Sequence, residues 1–357
     1  MPDDLARRKR LVQGRAFAGA GSRGHSSPSR ALCPHRRDAL VDGDDGVLDV
    51  CPARASAMAA DSASVVETAG QGAGEKRART VDASPLSRRE MSRRREWQTV
   101  AMATPPQLPR EMVLRYTDVA EGRIRTRTLG RSREGVLPVV VVQGMTVSDY
   151  LLPACAALGS WTEVHLLDLP GYAGSGRPTR WLDVRGYGET VAHWLDASGV
   201  ERAVVVGHSS GTQVAAWAGV LAPERVAAVG LASPTVDPKV RSLPKLLFYW
   251  RLDARSPSPG LEVSHAPEWK RAGPRGIAHL IKVHLDDRLE DQVRRLTVPV
   301  LALRAEDDRL TTERWMDDLV GVAREAAWVK VPGAHAFVWL HPEAWSDPLR
   351  RLAEQAG

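Results

Sequence analysis

The sequence predicts an α/β protein, with a mostly parallel central sheet carrying helices on both faces, spanning residues 109–357. Three observations predict it. Uniformly apolar runs at 139–142, 204–206, 226–232 and 298–303 read as strands buried on both faces, as parallel sheets require. Stretches of helical period alternate with these runs, and β–α alternation places the helices as crossovers on the sheet faces. One run, Val204-Val205-Val206, passes through Gly207-His208-Ser209-Ser210-Gly211 straight into a helical pattern, so strand, tight turn and helix follow without a break.

The 357-residue chain divides by composition before it divides by structure. Residues 1–108 are rich in Arg, Ala, Gly, Ser, Asp and Pro and show no sustained period. Over residues 1–110, Lys and Arg number 19 against 13 Asp and Glu, which accounts for the whole net charge of +6. Residues 111–357 hold 30 of each sign and are neutral. A segment of this kind buries too little apolar surface to offset its ordering entropy, so 1–108 is expected to be a disordered tail. Two alternatives stand beside that: a basic arm for nucleic acid, or a true start at Met91, Met102 or Met112. The basic pI therefore belongs to the tail, and no nucleic-acid partner is expected for the neutral remainder.

The elements follow in order. Residues 112–116 and 124–129 read as two leading strands around Glu121-Gly122, suited to an antiparallel start. Residues 136–142 form the first buried strand, ending in Gln143-Gly144-Met145-Thr146, with a helix over 150–158. A strand at 163–167 closes in Asp168-Leu169-Pro170-Gly171-Tyr172-Ala173-Gly174-Ser175-Gly176. That Gly-rich loop opens no helix directly, which argues against a phosphate cradle. A helix at 187–198 leads to the 204–206 strand, and the 226–232 strand follows the next helix. Residues 234–296 break the alternation with Pro-rich turns and short amphipathic stretches, and are expected to form an inserted helical lid. Alternation resumes with a strand at 298–304, a helix at 312–322, a strand at 326–331 and a terminal helix opened by Ser346-Asp347-Pro348.

Several classes are excluded or disfavoured. No apolar run of about 18 residues exists for a transmembrane helix. The apolar stretch at 11–20 is interrupted by Gln13, Gly14 and Arg15, and Arg93-Arg94-Arg95 precedes Glu96, so neither reads as an export signal. Cys33, Cys51 and Cys155 have no metal or disulfide spacing, and Cys155 reads as a small buried residue. A cytoplasmic protein with no membrane partner, no metal and no cofactor is expected; its oligomeric state is not readable.

The chemistry concentrates on Ser209. A serine hydroxyl needs a neighbouring base, and the base an orienting group. Gly207 and Gly211 let a strand and a helix close around the serine and push it out at the carboxyl end of the sheet. The pentapeptide alone is weak: Gly24-His25-Ser26-Ser27 repeats it in the tail without a strand or helix, and a Gly-rich connection without chemistry would read alike. The supporting partners lie downstream. The strand at 298–303 runs into Ala305-Glu306-Asp307-Asp308, and that at 326–331 into Pro332-Gly333-Ala334-His335. Both loops leave the same sheet edge as Ser209.

These motifs, together with Asp168-Leu169-Pro170-Gly171-Tyr172, resemble the α/β-hydrolase superfamily across residues 111–357. The resemblance implies the α/β-hydrolase fold, a serine nucleophile at Ser209, an acid at Asp308 and a base at His335. Asp308 stands three residues after the small turn residue Ala305, where relatives more often carry Gly; Asp307 is the competitor. His341, in His341-Pro342-Glu343, is read as structural. His165 and His193 are read as core or surface residues. The resemblance also implies an oxyanion hole from the backbone N–H groups of Met145 and Ser210, with Gln143 where relatives usually have His. His208, Gln143, Phe248 and Trp250 are candidate pocket residues. Leu246, Leu247, Tyr249 and Trp269 are aromatic or apolar too, and either line an acyl pocket or pack the lid down. A serine rather than an aspartate at Ser209 argues against the dehalogenase and epoxide-hydrolase branches. The expected reaction is hydrolysis of a small to medium apolar ester, lactone or thioester. The alternatives are carbon–carbon bond hydrolysis or cofactor-free perhydrolysis on the same triad, acyl transfer or cyclisation in a biosynthetic pathway, and low-turnover ligand binding.

Overall fold

The computed structural model describes residue 109 and residues 111–357, apart from Pro257. The expectations for residues 1–108, with Cys33 and Cys51 among them, lie outside the described residues. Eight strands form one sheet. They are β1 (Val113–Val119), β2 (Gly122–Leu129), β3 (Val139–Val142), β4 (Val164–Asp168), β5 (Ala203–His208), β6 (Val226–Ala232), β7 (Val300–Ala305) and β8 (Ala326–Val331). Their spatial order is β1-β2-β4-β3-β5-β6-β7-β8. Strand β2 is antiparallel to both β1 and β4, and the pairings from β4 through β8 are parallel.

The sheet is mostly parallel because helices connect its strands: α1 (Leu152–Gly159), α2 (Val184–Ser198), α3 (Gly211–Leu221) and α7 (Glu313–Val322); a terminal helix, α9 (Ser346–Ala356), follows the last strand. Side chains alternate across it. Val140, Val142, Val205 and Val229 join one apolar cluster; Val139, Val141, Val204 and Val206 join another. This is why β3 and β5 are apolar at every position: each face is covered. The first buried strand is shorter than its apolar run, because Pro138 has no N–H for the ladder and Val136 pairs instead with Arg133. Helix α2 starts three residues earlier than its period suggests, since Asp183 caps it by accepting from Gly186 N–H at 2.8 Å.

Between β6 and β7 lie α4 (Leu243–Asp253), α5 (Leu261–Asp286) and α6 (Leu289–Arg295). Short stretches were expected here, and α5 is two helical segments that meet at a kink within its 26 residues. Gly273, at φ 69°, breaks the helical path, and Pro274 restarts it at a position where a missing N–H is harmless. A short helix, α8 (Phe337–Leu340), follows β8.

The topology places two loops side by side. Val142 of β3 is in register with Gly207 of β5, so Gln143-Gly144-Met145 leaves the sheet next to Ser209. Loops after β7 and β8 leave from the same edge, where open α/β sheets bind ligands.

Candidate active site

Ser209 sits between β5 and α3 at φ 54°, a left-handed conformation that non-glycine residues rarely adopt. Its surroundings impose that strain. A Cβ on Gly211 would stand 2.5 Å from the Gln143 carbonyl oxygen, so only glycine admits so close a β3 loop. Ser209 N–H is anchored on Ala232 O at 2.9 Å, and Thr212 N–H and Oγ1–H both return to Ser209 O, at 3.0 and 2.6 Å.

The side chains expected from three separate loops meet. Ser209 Oγ donates to His335 Nε2 at 2.8 Å, and His335 Nδ1–H donates to the two oxygens of Asp308 at 3.1 and 3.0 Å. Asp308 is the carboxylate that reaches the imidazole; Asp307 contributes its backbone N–H to Gly333 O at 2.9 Å. The Asp308 carboxylate also accepts from Leu310 and Thr311 N–H, at 2.8 and 3.1 Å. Burial works against its charge, but His335 and these donors hold it down at about 2. Burial likewise opposes a charged His335, yet Asp308 and then Asp253 raise its pKa above the ordinary histidine value. The arrangement leaves an acceptor nitrogen facing the serine and a carboxylate on the other side of the ring.

His208 lies behind this set. Its Nε2–H donates to the His335 carbonyl at 3.0 Å, so its Nδ1 is bare and accepts from the Tyr150 hydroxyl at 2.6 Å. Burial, with His335 close by, drops its pKa to about 3, so it stays neutral. His208 thus braces the His335 backbone, as does Ser233, whose hydroxyl donates to the same carbonyl at 3.0 Å. His341 is half-buried and lies beside Gly333, while His165 and His193 pair with Thr128 and Glu121, away from the serine.

Met145 N–H faces the serine side of the loop and donates to Ser210 Oγ at 2.9 Å. The Ser210 hydroxyl therefore does not cap α3. Gln143 is buried and accepts from Leu169 N–H at 3.3 Å, tying the β3 loop to the loop after β4; it does not line the cavity. A cavity of about 390 Å³ opens over Ser209 and His335, lined on its apolar side by Met145, Leu246, Trp250, Leu261, Trp269 and Leu285. Phe248, expected in the pocket, is 58% exposed and absent from its lining. The reason is helical phase: Leu246, Trp250 and Asp253 share the face of α4 toward the cavity, and Phe248 lies off it.

Sequence reading named neither Asp253 nor Glu268 and gave Asp168 and Trp269 no polar partner. Asp253, on α4, lines the cavity and accepts from His335 and Arg309 N–H, both at 3.3 Å. Burial raises its pKa, while His335 pulls the other way. Glu268 and Trp269, adjacent on α5, reach the loop after β3. Asp168 is buried against Arg125 and Arg127. A charged residue beside Pro267 inside an otherwise amphipathic stretch was the one available sign for Glu268. Among the described residues, no cluster of His, Cys, Asp and Glu has the geometry of a metal site, and no helix is long and apolar enough to cross a membrane. Cys155 is fully buried, which pushes its thiol up to about 12.

With this fold and geometry, comparison with known proteins is direct. The model of the alpha/beta hydrolase family matches residues 139–347. The chain belongs to that family. A curated relative, the dihydrolipoyllysine-residue acetyltransferase component of the acetoin cleaving system of Cupriavidus necator, is 35% identical over 119 residues, covering 33% of this chain and 31% of that protein. The chain thus spans about a third of the length of the curated relative it matches. Among solved structures, the enol-lactonase from Burkholderia xenovorans LB400 superposes with a TM-score of 0.57 at 16% identity, covering 67% of this chain and 99% of the other. The 2-hydroxy-6-oxo-6-phenylhexa-2,4-dienoate hydrolase from Rhodococcus sp. strain RHA1 gives 0.54 at 18%, covering 68% and 98%. At such identities these likenesses speak to the fold.

Proposed function

We propose that the chain is a serine hydrolase that cleaves a small to medium apolar ester, lactone or thioester through an acyl-enzyme. One observation carries the reading: the unbroken line from Ser209 Oγ through His335 to Asp308, set at the floor of a largely apolar cavity. In this mechanism His335 Nε2 takes the Ser209 proton as the oxygen attacks the carbonyl carbon. Asp308 orients the ring and stabilises its positive charge. The tetrahedral oxyanion is received by Ser210 N–H and by Met145 N–H, which exchanges its bond to Ser210 Oγ for one to the oxyanion. His335 then gives its proton to the departing alcohol or thiol. Water, deprotonated by His335, attacks the acyl carbon, and Ser209 leaves with its proton restored.

The acyl group occupies the apolar side of the cavity under α4 and α5, which act as the lid. Enol-lactonase and dienoate-hydrolase activities among relatives of this fold fit an acyl-transfer site with a small-molecule substrate. The test is Ser209→Ala. Hydrolysis of p-nitrophenyl esters should fall by a factor of roughly a thousand or more, with the far-ultraviolet circular dichroism unchanged. A serine-directed fluorophosphonate should label the wild-type protein on the peptide containing Ser209 and leave the variant unlabelled. A variant as active as the wild type would remove the assignment.

A further inference from the structure

The loop that carries Met145 is not self-supporting. Met145 and Thr146 both have positive φ, 40° and 68°. For side chains other than glycine such conformations cost about 1–3 kcal/mol each and persist only where the surroundings impose them. The turn closes on itself through a single Val147 N–H to Gly144 O bond of 2.9 Å. It then enters the helical turn Asp149–Leu151, whose first N–H groups need acceptors. Ser148 is placed to cap that turn, but its side chain makes no cap bond.

The missing acceptor comes from α5, more than 110 residues along the chain. Glu268 Oε2 accepts from Ser148 N–H at 2.7 Å and from Asp149 N–H at 3.2 Å, while Ser148 Oγ donates to Glu268 Oε1 at 3.2 Å. The next residue holds the loop's other end: Trp269 Nε1–H donates to Met145 O at 3.2 Å. Glu268 is 2% exposed. Arg125 approaches it to 3.9 Å. Burying a carboxylate is costly, and a role of filling space alone would be met better by an apolar side chain. What an apolar side chain could not do here is accept two adjacent backbone N–H groups on one oxygen, while the neighbouring Trp269 grips the Met145 carbonyl.

We infer that Glu268 and Trp269 are positioning residues for the oxyanion-binding loop: the insertion, through α5, holds Met145 N–H at the place where the oxyanion forms. This rests on the serine-hydrolase reading of Ser209. The insertion is then part of the catalytic apparatus as well as a cover, and a substrate pressing on Trp269 from the cavity bears on the same helix that sets the oxyanion donor.

The experiment uses the full chain with p-nitrophenyl esters, and a trifluoromethyl ketone as a mimic of the tetrahedral adduct. Losing one oxyanion donor outright costs on the order of 100- to 1000-fold in kcat, so misplacing it by Glu268→Ala should cost roughly 10- to 100-fold, with KM little changed. Glu268→Gln keeps one acceptor oxygen for the two N–H groups and should restore most of the rate. Trp269→Phe, which removes only the N–H, should lower kcat by a factor of roughly 3–10, the worth of one hydrogen bond. Both losses should be matched by weaker binding of the ketone, while binding of the carboxylic acid product stays the same. Should Glu268→Ala fail to fold, Trp269→Phe decides. An unchanged kcat in the folded variants, or a raised KM with kcat and ketone affinity intact, overturns the inference. A wild-type protein that neither hydrolyses the esters nor reacts with a fluorophosphonate overturns the serine-hydrolase reading itself, which separates the two failures.

Discussion

Helices α4 and α5 both lie between β6 and β7, yet they are held in opposite ways. In its eleven residues α4 carries Leu243, Leu246, Leu247, Phe248, Tyr249, Trp250 and Leu252 and buries none of them to core level. Leu243, Leu247 and Phe248 are 47%, 46% and 58% exposed. By contrast α5, whose composition is more polar, buries Glu268, Gly276, Leu280 and His284. Its polar groups reach the body of the protein: Arg271 to Ala173 O, His279 to Leu182 O at 2.7 Å, His284 to Gln213 at 2.7 Å. The difference teaches that hydrophobic content does not decide which helix is fixed. Specific partners for polar side chains do. On this reading α5 is the firmly anchored wall of the cavity and α4 the loosely packed one.

The largest effect that would test this is on stability. Leu280 is 2% exposed and belongs to the apolar cluster that contains Tyr172, Leu182 and Val184. Leu280→Ala should cost about 2–5 kcal/mol in urea unfolding, the range for buried leucines that leave a cavity. A cost below about 1 kcal/mol would mean that α5 is no better anchored than α4.

The same contrast explains what could be read from the chain. Ser209, Asp308 and His335 could be named from the chain because each follows the carboxyl end of a strand, and parallel pairing carries all three loops to one edge. The preference for Asp308 over Asp307 came from the family resemblance, which places the acid three residues after Ala305; Asp308 is the carboxylate hydrogen-bonded to His335. The insertion was poorly legible. Its apolar residues suggested a pocket wall, but which of them face inward depends on how α4 is rotated, and Phe248 and Trp250 part company for that reason alone. Asp253 and Glu268 were invisible as site residues, since their partners lie on loops far away in sequence. Gln143 was read as pocket-facing because of where it stands in the motif; its amide turns to Leu169 N–H instead.

A second, smaller test concerns the one polar link α4 does make with the chemistry. Asp253 contributes to raising the His335 pKa, after Asp308. In the proposed mechanism His335 must be neutral to accept the Ser209 proton, so kcat/KM should fall as pH drops through the His335 pKa, which lies above the ordinary histidine value. Removing the Asp253 charge withdraws part of the stabilisation of the imidazolium. In Asp253→Asn the acid limb of the kcat/KM profile should therefore move to lower pH, with the plateau largely kept. A limb that stays in place would show that α4 sits farther from His335 in solution than its 3.3 Å contact with His335 N–H indicates.

The smallest effect is the sharpest discriminator, because it asks whether the outer face of α4 packs against anything. Phe248 meets Tyr249 edge-on at 5.3 Å between ring centres, and both rings are on the same helix. A side chain so exposed gains little from the folded state, so Phe248→Ser should change unfolding free energy by no more than about 0.5 kcal/mol. It should also leave the preference for acyl chain length as it is, since Phe248 is off the cavity face. Trp250→Ala, two residues away, should behave differently. It removes a wall of the cavity and a ring packed at 5.8 Å against Trp269, so the ratio of kcat/KM for long over short p-nitrophenyl esters should drop. A Phe248→Ser protein that lost more than about 1.5 kcal/mol, or that shifted chain-length preference as Trp250→Ala does, would place Phe248 in a packed interface and make α4 as firmly held as α5.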